Sequence, residues 1–320
     1  VLQTLLTMMP QVLFEGLLLG FVYAMIALGY TMVYGVLELI NFAHSEIFMI
    51  GGVVGVEVFR AMAPTAQSGF VVLFLAIVTG GLVSGLMAVL VERLAYRPLR
   101  RRGTTNRLVP LITAIGVSYV LQDLVRLIEA LWHNEFFFRM ESMASLDGAF
   151  TVLGIFIQYK ALIVIGVSLA MMLGLTFLVN KTKMGLAMRT VAQDMGTARL
   201  MGINPDRVIS STFFIGGGLG GVAGVLFALL YSTINPYSGF LPGIKAFTAA
   251  VLGGIGNIPG AMVGGLVLGE LETLAGTYFP TLTNGVIGTE YKDIIAFLAL
   301  ILLLLFRPQG LLGHVVKEKV

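Results

Sequence analysis

VLFEGLLLGFVYAMIALGYTMVY, residues 12–34, runs for 23 residues with one charged side chain, Glu15. About 20 apolar residues cross a hydrocarbon core of roughly 30 Å, so this stretch reads as a membrane span. It lacks the basic flank and small-residue cleavage pattern of a secretory signal. Seven further apolar stretches follow, at residues 47–59, 70–91, 108–131, 161–179, 208–231, 258–275 and 294–306. They are apolar on both phases, whereas the strands of a membrane barrel alternate. Helices then remain as the way to satisfy the backbone in lipid. The expected fold is an all-α membrane protein, a polytopic bundle of about eight transmembrane helices forming a single domain over residues 1–320.

Composition agrees. The chain is 57% hydrophobic and 12% charged, against about 25% charged in a soluble domain. The net charge of +3 does not point to nucleic acid, because the basic residues flank spans, where they orient a membrane protein. Arg93, Arg97, Arg100, Arg101, Arg102 and Arg107 are expected in one loop, Lys181, Lys183, Arg189, Arg199 and Arg207 in a second, and Arg307, Lys317 and Lys319 at the end. All three regions are expected to be cytoplasmic. The acid-rich segments 129–160 and 270–293 fall outside, and the N-terminus with them. An even number of crossings must then separate Arg189 from the C-terminus. The apolar run 244–255, too short to span comfortably, supplies the missing one as a half-helix or re-entrant segment. It ends in GGIGNIPG, residues 253–260, where helix must break.

Glycines four residues apart recur, among them Gly16 and Gly20, Gly51 and Gly55, Gly216, Gly220 and Gly224, and Gly265 and Gly269. This spacing lets helices approach closely in lipid. No phosphate loop, H-E-x-x-H or G-x-S-x-G pattern occurs. The absence of cysteine removes disulfides and thiolate metal sites, and His44, His133 and His314 fall in different regions. No metal, catalytic or cofactor site is expected on this chain. Glu38, His44 and Glu46 could be grouped as an acid/base cluster, but no companion motif supports an enzyme.

Two stretches carry more. Residues 39–46, LINFAHSE, follow the first span directly and mix hydrogen-bonding with apolar side chains. This pattern suits a broken helix bordering a pathway, or a plain cap on a helix beginning near Ser45. The segment of about 181–207 is long enough for two short helices. Its Leu186, Met188, Val191, Met195, Leu200 and Met201 beside basic residues suit a docking surface, or a helix lying on the membrane.

Asn41-Phe42-Ala43-His44, the stretch from Met184-Gly185 to Gly202-Ile203-Asn204, and Lys245 to Gly256 leading into Pro259-Gly260-Ala261 together resemble the LivH-type permease of bacterial branched-chain amino acid ABC importers. The resemblance covers nearly the whole chain. It implies a second, LivM-type permease subunit, two ATP-binding cassette subunits carrying ATP and magnesium, an extracytoplasmic or periplasmic substrate-binding protein, and a place in the bacterial inner membrane. By resemblance, Gly185, Arg189, Ala192, Asp194, Ala198 and Gly202 belong to the loop that docks on the ATPases. Asn41, Phe42 and His44, with Gly254 and Gly256, would border the translocation pathway. Thr190 and Ser45 stand where the family usually has Ala and Gly. The rival reading is a secondary transporter or channel acting without ATPases, with Glu15, Glu46, Glu57, Asp123, Glu270 or Glu272 as its functional charges, most of them placed near span ends.

Overall fold

The computed structural model describes residues 2–37, 39, 41–64, 68–102, 108–141, 143 and 145–313, and each apolar stretch named above is helical in it. In chain order the elements are α1 (Leu2–Leu37), α2 (His44–Met62), α3 (Gly69–Val91), α4 (Arg97–Arg101), α5 (Leu108–Trp132), β1 (Phe138–Arg139), β2 (Ala149–Val152), β3 (Ile155–Gln158) and α6 (Tyr159–Lys181). There follow α7 (Lys183–Gln193), α8 (Met195–Leu200), α9 (Pro205–Tyr231), β4 (Thr233–Ile234), α10 (Phe240–Gly253), α11 (Ile258–Leu282) and α12 (Lys292–Phe306).

Among the described residues, six helices are long and apolar enough to cross a membrane: α1, α3 with its extension, α5, α6, α9 and α11. The other two expected spans fall short. Helix α2 carries Glu46, Glu57 and Arg60, and α12 has 15 residues, about 22 Å of helix. The expected short segment is α10, 14 residues long.

The first basic region is not the expected loop. Helix α3 continues through a π-helical turn at Glu92–Tyr96 into α4, carrying Arg93, Arg97, Arg100 and Arg101 on helix. Ion pairing holds this extension. The fully buried Glu92 takes Arg97 at 2.9 Å and Arg100 at 3.3 Å, while Asp206 on α9 takes Arg100 at 2.6 Å and Arg101 at 3.0 Å. Glu38, Arg107, His314, Lys317 and Lys319 lie outside the described residues. The acid-rich segment before α6 also holds short antiparallel ribbons. Strand β2 pairs with β3, and β1 pairs with β4, with Phe138 opposite Ile234.

The core is built on α1 and α9. Helix α1 packs against α9, α10 and α11, and α9 against α2 and α3. The expected glycine seams close these contacts: Gly20 meets Gly269 backbone to backbone, and Gly51 meets Gly221. A side chain at any of these would have to push a helix away. Outer faces of α5 and α6, with Ile112, Val120, Leu173 and Phe177 exposed, provide the apolar surface that a bilayer requires.

Candidate functional site

Helix α1 extends seven residues beyond Tyr30, yet the chain comes back so that the His44 ring stands 4.7 Å from the Tyr30 ring. Helix α2 therefore starts about 10 Å short of the end of α1, inside the bundle. Asn41 and His44 do not cap it: α2 has no side-chain N-cap bond, and Asn41 turns its Oδ1 to the Tyr96 hydroxyl, which donates at 2.8 Å. Asn41 and His44 are both buried, and a Cβ at Gly29 would overlap the His44 ring. Helix α10 begins at the same place. A Cβ at Gly239 or Gly243 would run into Ser45.

Between these two helix starts lies a cavity of about 270 Å³. Phe42, Ile115, Phe240 and Ile244 supply apolar walls, Tyr30 and Tyr119 flank it, and Ser45, Ser118 and Gln122 make one polar side. That polar side is organised by Glu46, which is fully buried behind it. Gln122 donates to Glu46 Oε1 at 2.9 Å, Ser118 at 3.0 Å and Ser45 at 3.3 Å.

A second cavity of about 560 Å³ opens between the end of α1, α7 and the turn after α10. It brings together Tyr34, Arg189 and Gly256, which are far apart in sequence. A small void of about 10 Å³ lined by Tyr30, Tyr34, Asn41, Phe247 and Ile255 stands between the two. It shares Tyr30 with the first cavity and Tyr34 and Ile255 with the second. Phe247 closes this waist, its ring 5.6 Å from Phe42 and 6.0 Å from Tyr30. Of the residues expected along a pathway, Phe42 lines the first cavity, Asn41 the waist and Gly256 the second. His44 lies within the packing beside Tyr30 and lines none of these, and Gly254, with φ of +104°, packs on Gly313.

The segment 181–207 forms α7 and α8, each begun by a side-chain cap. Thr182 accepts from the Gly185 N–H at 3.1 Å, and Asp194 from the Gly196 N–H at 2.7 Å. The Thr197 hydroxyl, followed by the N–H groups of Gly196 and Thr197, holds the exposed Asp194 carboxyl below its usual range. Gly185 and Ala198 are buried, and Gly185 has no room for a side chain against the carbonyls of Leu178 and Val179. They set the pose of α7 and α8 and do not offer surface. Arg189 is exposed and donates to the Val179 carbonyl. Ala192 is half-buried, and Gly202 takes the left-handed conformation, φ +80°, that ends α8. Of the apolar residues expected on a docking face, Leu186, Leu200 and Met201 are exposed, whereas Met188 and Val191 are buried.

Sequence reasoning placed most candidate charges near span ends. Glu46 and Glu272 instead stand inside the bundle, 0% and 1% exposed. Glu272 on α11 takes Lys245 of α10 at 2.7 Å, Lys292 of α12 at 2.9 Å and the Tyr23 hydroxyl of α1 at 2.8 Å, and Lys245 also meets Asp293 at 2.6 Å. This cluster ties four helices together. A lone lysine in an apolar run, Lys245, was the signal available for it.

A glycine-seamed helical bundle with six membrane-length helices among its described residues, two helix starts meeting inside it and internal cavities fits a membrane permease. The family described as "Branched-chain amino acid transport system / permease component" matches residues 12–304, and the chain belongs to it. It is 43% identical over 319 residues to the high-affinity branched-chain amino acid transport system permease protein BraD of Pseudomonas aeruginosa, covering 97% of each chain. It is likewise 43% identical over 317 residues to LivH of Escherichia coli K12, again covering 97% of each. The probable LivH of Methanocaldococcus jannaschii is 27% identical over 297 residues, 90% of this chain and 88% of that one. No solved structure matches. The protein is thus a multi-pass membrane permease, and its family is one of transport rather than catalysis.

Proposed function

We propose that this chain is the permease subunit of an ATP-driven, binding-protein-dependent importer that moves branched-chain or similar neutral amino acids across a bacterial inner membrane. Its relatives' names supply the substrate class. One observation supports the mechanism above others: the cavity at the start of α2, the waist at Phe247 and the larger cavity at Arg189 form a series that shares lining residues. In this reading the N-terminus is outside and the C-terminus cytoplasmic, so the larger cavity opens to the cytoplasm.

Alternating access requires an element that moves. Helices α7 and α8 fit that role, because Arg189 both lines the inner cavity and hydrogen-bonds the end of α6. Force applied to their exposed Leu186, Leu200 and Met201 would reach the cavity wall directly. The partners are two ATP-binding cassette subunits, which carry ATP and magnesium, a second LivM-type permease and an external binding protein.

Gentle extraction from native membranes followed by mass spectrometry tests the assembly. Two P-loop ATPases and a second permease in constant ratio are expected; a chain that comes out alone in every detergent would overturn it. Arg189→Glu is expected to abolish amino acid uptake while the chain still inserts in the membrane. Normal uptake in that variant would remove the coupling role of α7.

A further inference from the structure

Four carboxylates are buried among the described residues: Glu46, Glu92, Glu129 and Glu272. Glu92 has Arg97 and Arg100, Glu129 has His133 at 3.3 Å, and Glu272 has Lys245 and Lys292. Glu46 has no basic partner among the described residues. Its Oε1 takes all three of its hydrogen bonds, from Ser45, Ser118 and Gln122, and its Oε2 is buried with none. Burial of a carboxylate without a cation is costly; Glu92 and Glu272 are each given arginine or lysine partners, and Glu129 an imidazole.

The neighbourhood says where a cation would sit. Ser45, Ser118 and Gln122 are the polar side of the 270 Å³ cavity, and Glu46 stands directly behind them. A donor hydrogen-bonded to Ser118 Oγ from the cavity would lie within about 6 Å of Glu46 Oε1, two hydrogen-bond lengths away. At that distance, with little water between, an opposite charge is strongly felt. The Ser118 hydroxyl, already donating to Glu46, presents its lone pairs to such a donor. The cavity is smaller than the 300–1,000 Å³ of drug-sized pockets, and apart from Tyr30 and Tyr119 its remaining walls are apolar. It suits one small molecule with a cationic end and an aliphatic body.

We propose that Glu46 is the counter-charge for the primary ammonium group of an amino acid held in this cavity, acting through Ser118 and Gln122 as a positioning residue that selects for a cationic end. The proposal rests on the reading of the cavity as part of the pathway. Glu46 then discriminates a zwitterionic amino acid from an uncharged or purely anionic molecule of the same shape.

The test is equilibrium dialysis of the purified membrane complex in nanodiscs with three labelled probes: L-leucine, isoamylamine, which lacks the carboxylate, and isocaproate, which lacks the ammonium. In the native complex, leucine and isoamylamine are expected to bind at least about tenfold tighter than isocaproate. Equal binding of isoamylamine and isocaproate, or no binding of leucine, would overturn the proposal without any variant. Glu46→Gln is expected to erase the preference, and Glu46→Asp to recover part of it. Leucine held as tightly by Glu46→Gln as by the native complex would make Glu46 a neutral packing residue. Ile244→Trp, which fills the cavity from α10, separates the two layers of argument: it is expected to exclude all three probes. Undiminished leucine binding in Ile244→Trp would place the site elsewhere and overturn the cavity reading itself, whatever Glu46→Gln shows.

Discussion

Glu272 and Glu46 are the same side chain in equally buried settings, and the molecule treats them oppositely. Glu272 is closed off by two ammonium groups and a phenol drawn from α1, α10 and α12. Glu46 is held by three neutral donors beside a cavity. Satisfied buried charge locks helices in one arrangement, whereas uncompensated buried charge is costly until something else arrives. On the proposal above, the first region stays shut and the second receives a ligand.

Removing a lysine from the closed region gives the largest expected effect. Lys245→Met strips Glu272 and Asp293 of their shared partner, and breaking a buried pair from one side costs about 3–5 kcal/mol. A markedly lowered thermal midpoint of the detergent-purified protein is the expected readout; a midpoint within a degree of native would mean that the cluster contributes no net stability. Next comes the seam that positions the open region. Gly224 on α9 abuts the Phe48 carbonyl of α2, and Gly224→Val should cost about 1–3 kcal/mol by overpacking, read in the same melt. Glu46→Gln sharpens the contrast most. It keeps the shape and an oxygen acceptor for the three donors while removing an uncompensated buried charge, so the melting point should hold or rise while leucine uptake falls. A melting loss as large as that of Lys245→Met would erase the distinction between the two carboxylates.

In the proposed pathway the waist separates the cavity beside Glu46 from the larger one at Arg189. Phe247→Ala opens the contact with Phe42 and Tyr30 and should let leucine leak through the assembled complex without ATP, as measured by efflux from preloaded vesicles. A tight vesicle would move the barrier elsewhere. The smallest effect belongs to the exposed Asp194 cap. Its carboxyl is held below the ordinary value near 3.8, so the contribution to α8 is present above that pH and lost as pH falls through the lower folded value. Hydrogen exchange of the α8 amides should quicken with acidification in that window, and Asp194→Asn should remove the pH dependence.

Much of this was legible in residues alone. Apolar length required helices in a membrane, GGIGNIPG required a break after α10, and LINFAHSE marked the start of a new helix, α2, near Ser45. The Arg93–Arg101 stretch was expected as a loop on its charge, when Glu92 one and two turns away and Asp206, distant in sequence on α9, pair Arg97, Arg100 and Arg101 along a continuous helix. His44 was expected, by resemblance, to border the pathway; its packing against Gly29 and Gly220, which no local pattern announces, comes from the tertiary structure.

Fold class and family follow from the sequence because the bilayer admits few backbone solutions and reads apolar length directly. Which charge is paired and which is left open followed from tertiary structure alone. Lys245 lies 27 residues from Glu272, and Ser118 and Gln122 lie 72 and 76 from Glu46, separations over which no local rule of spacing operates and only the packing of whole helices decides who meets whom.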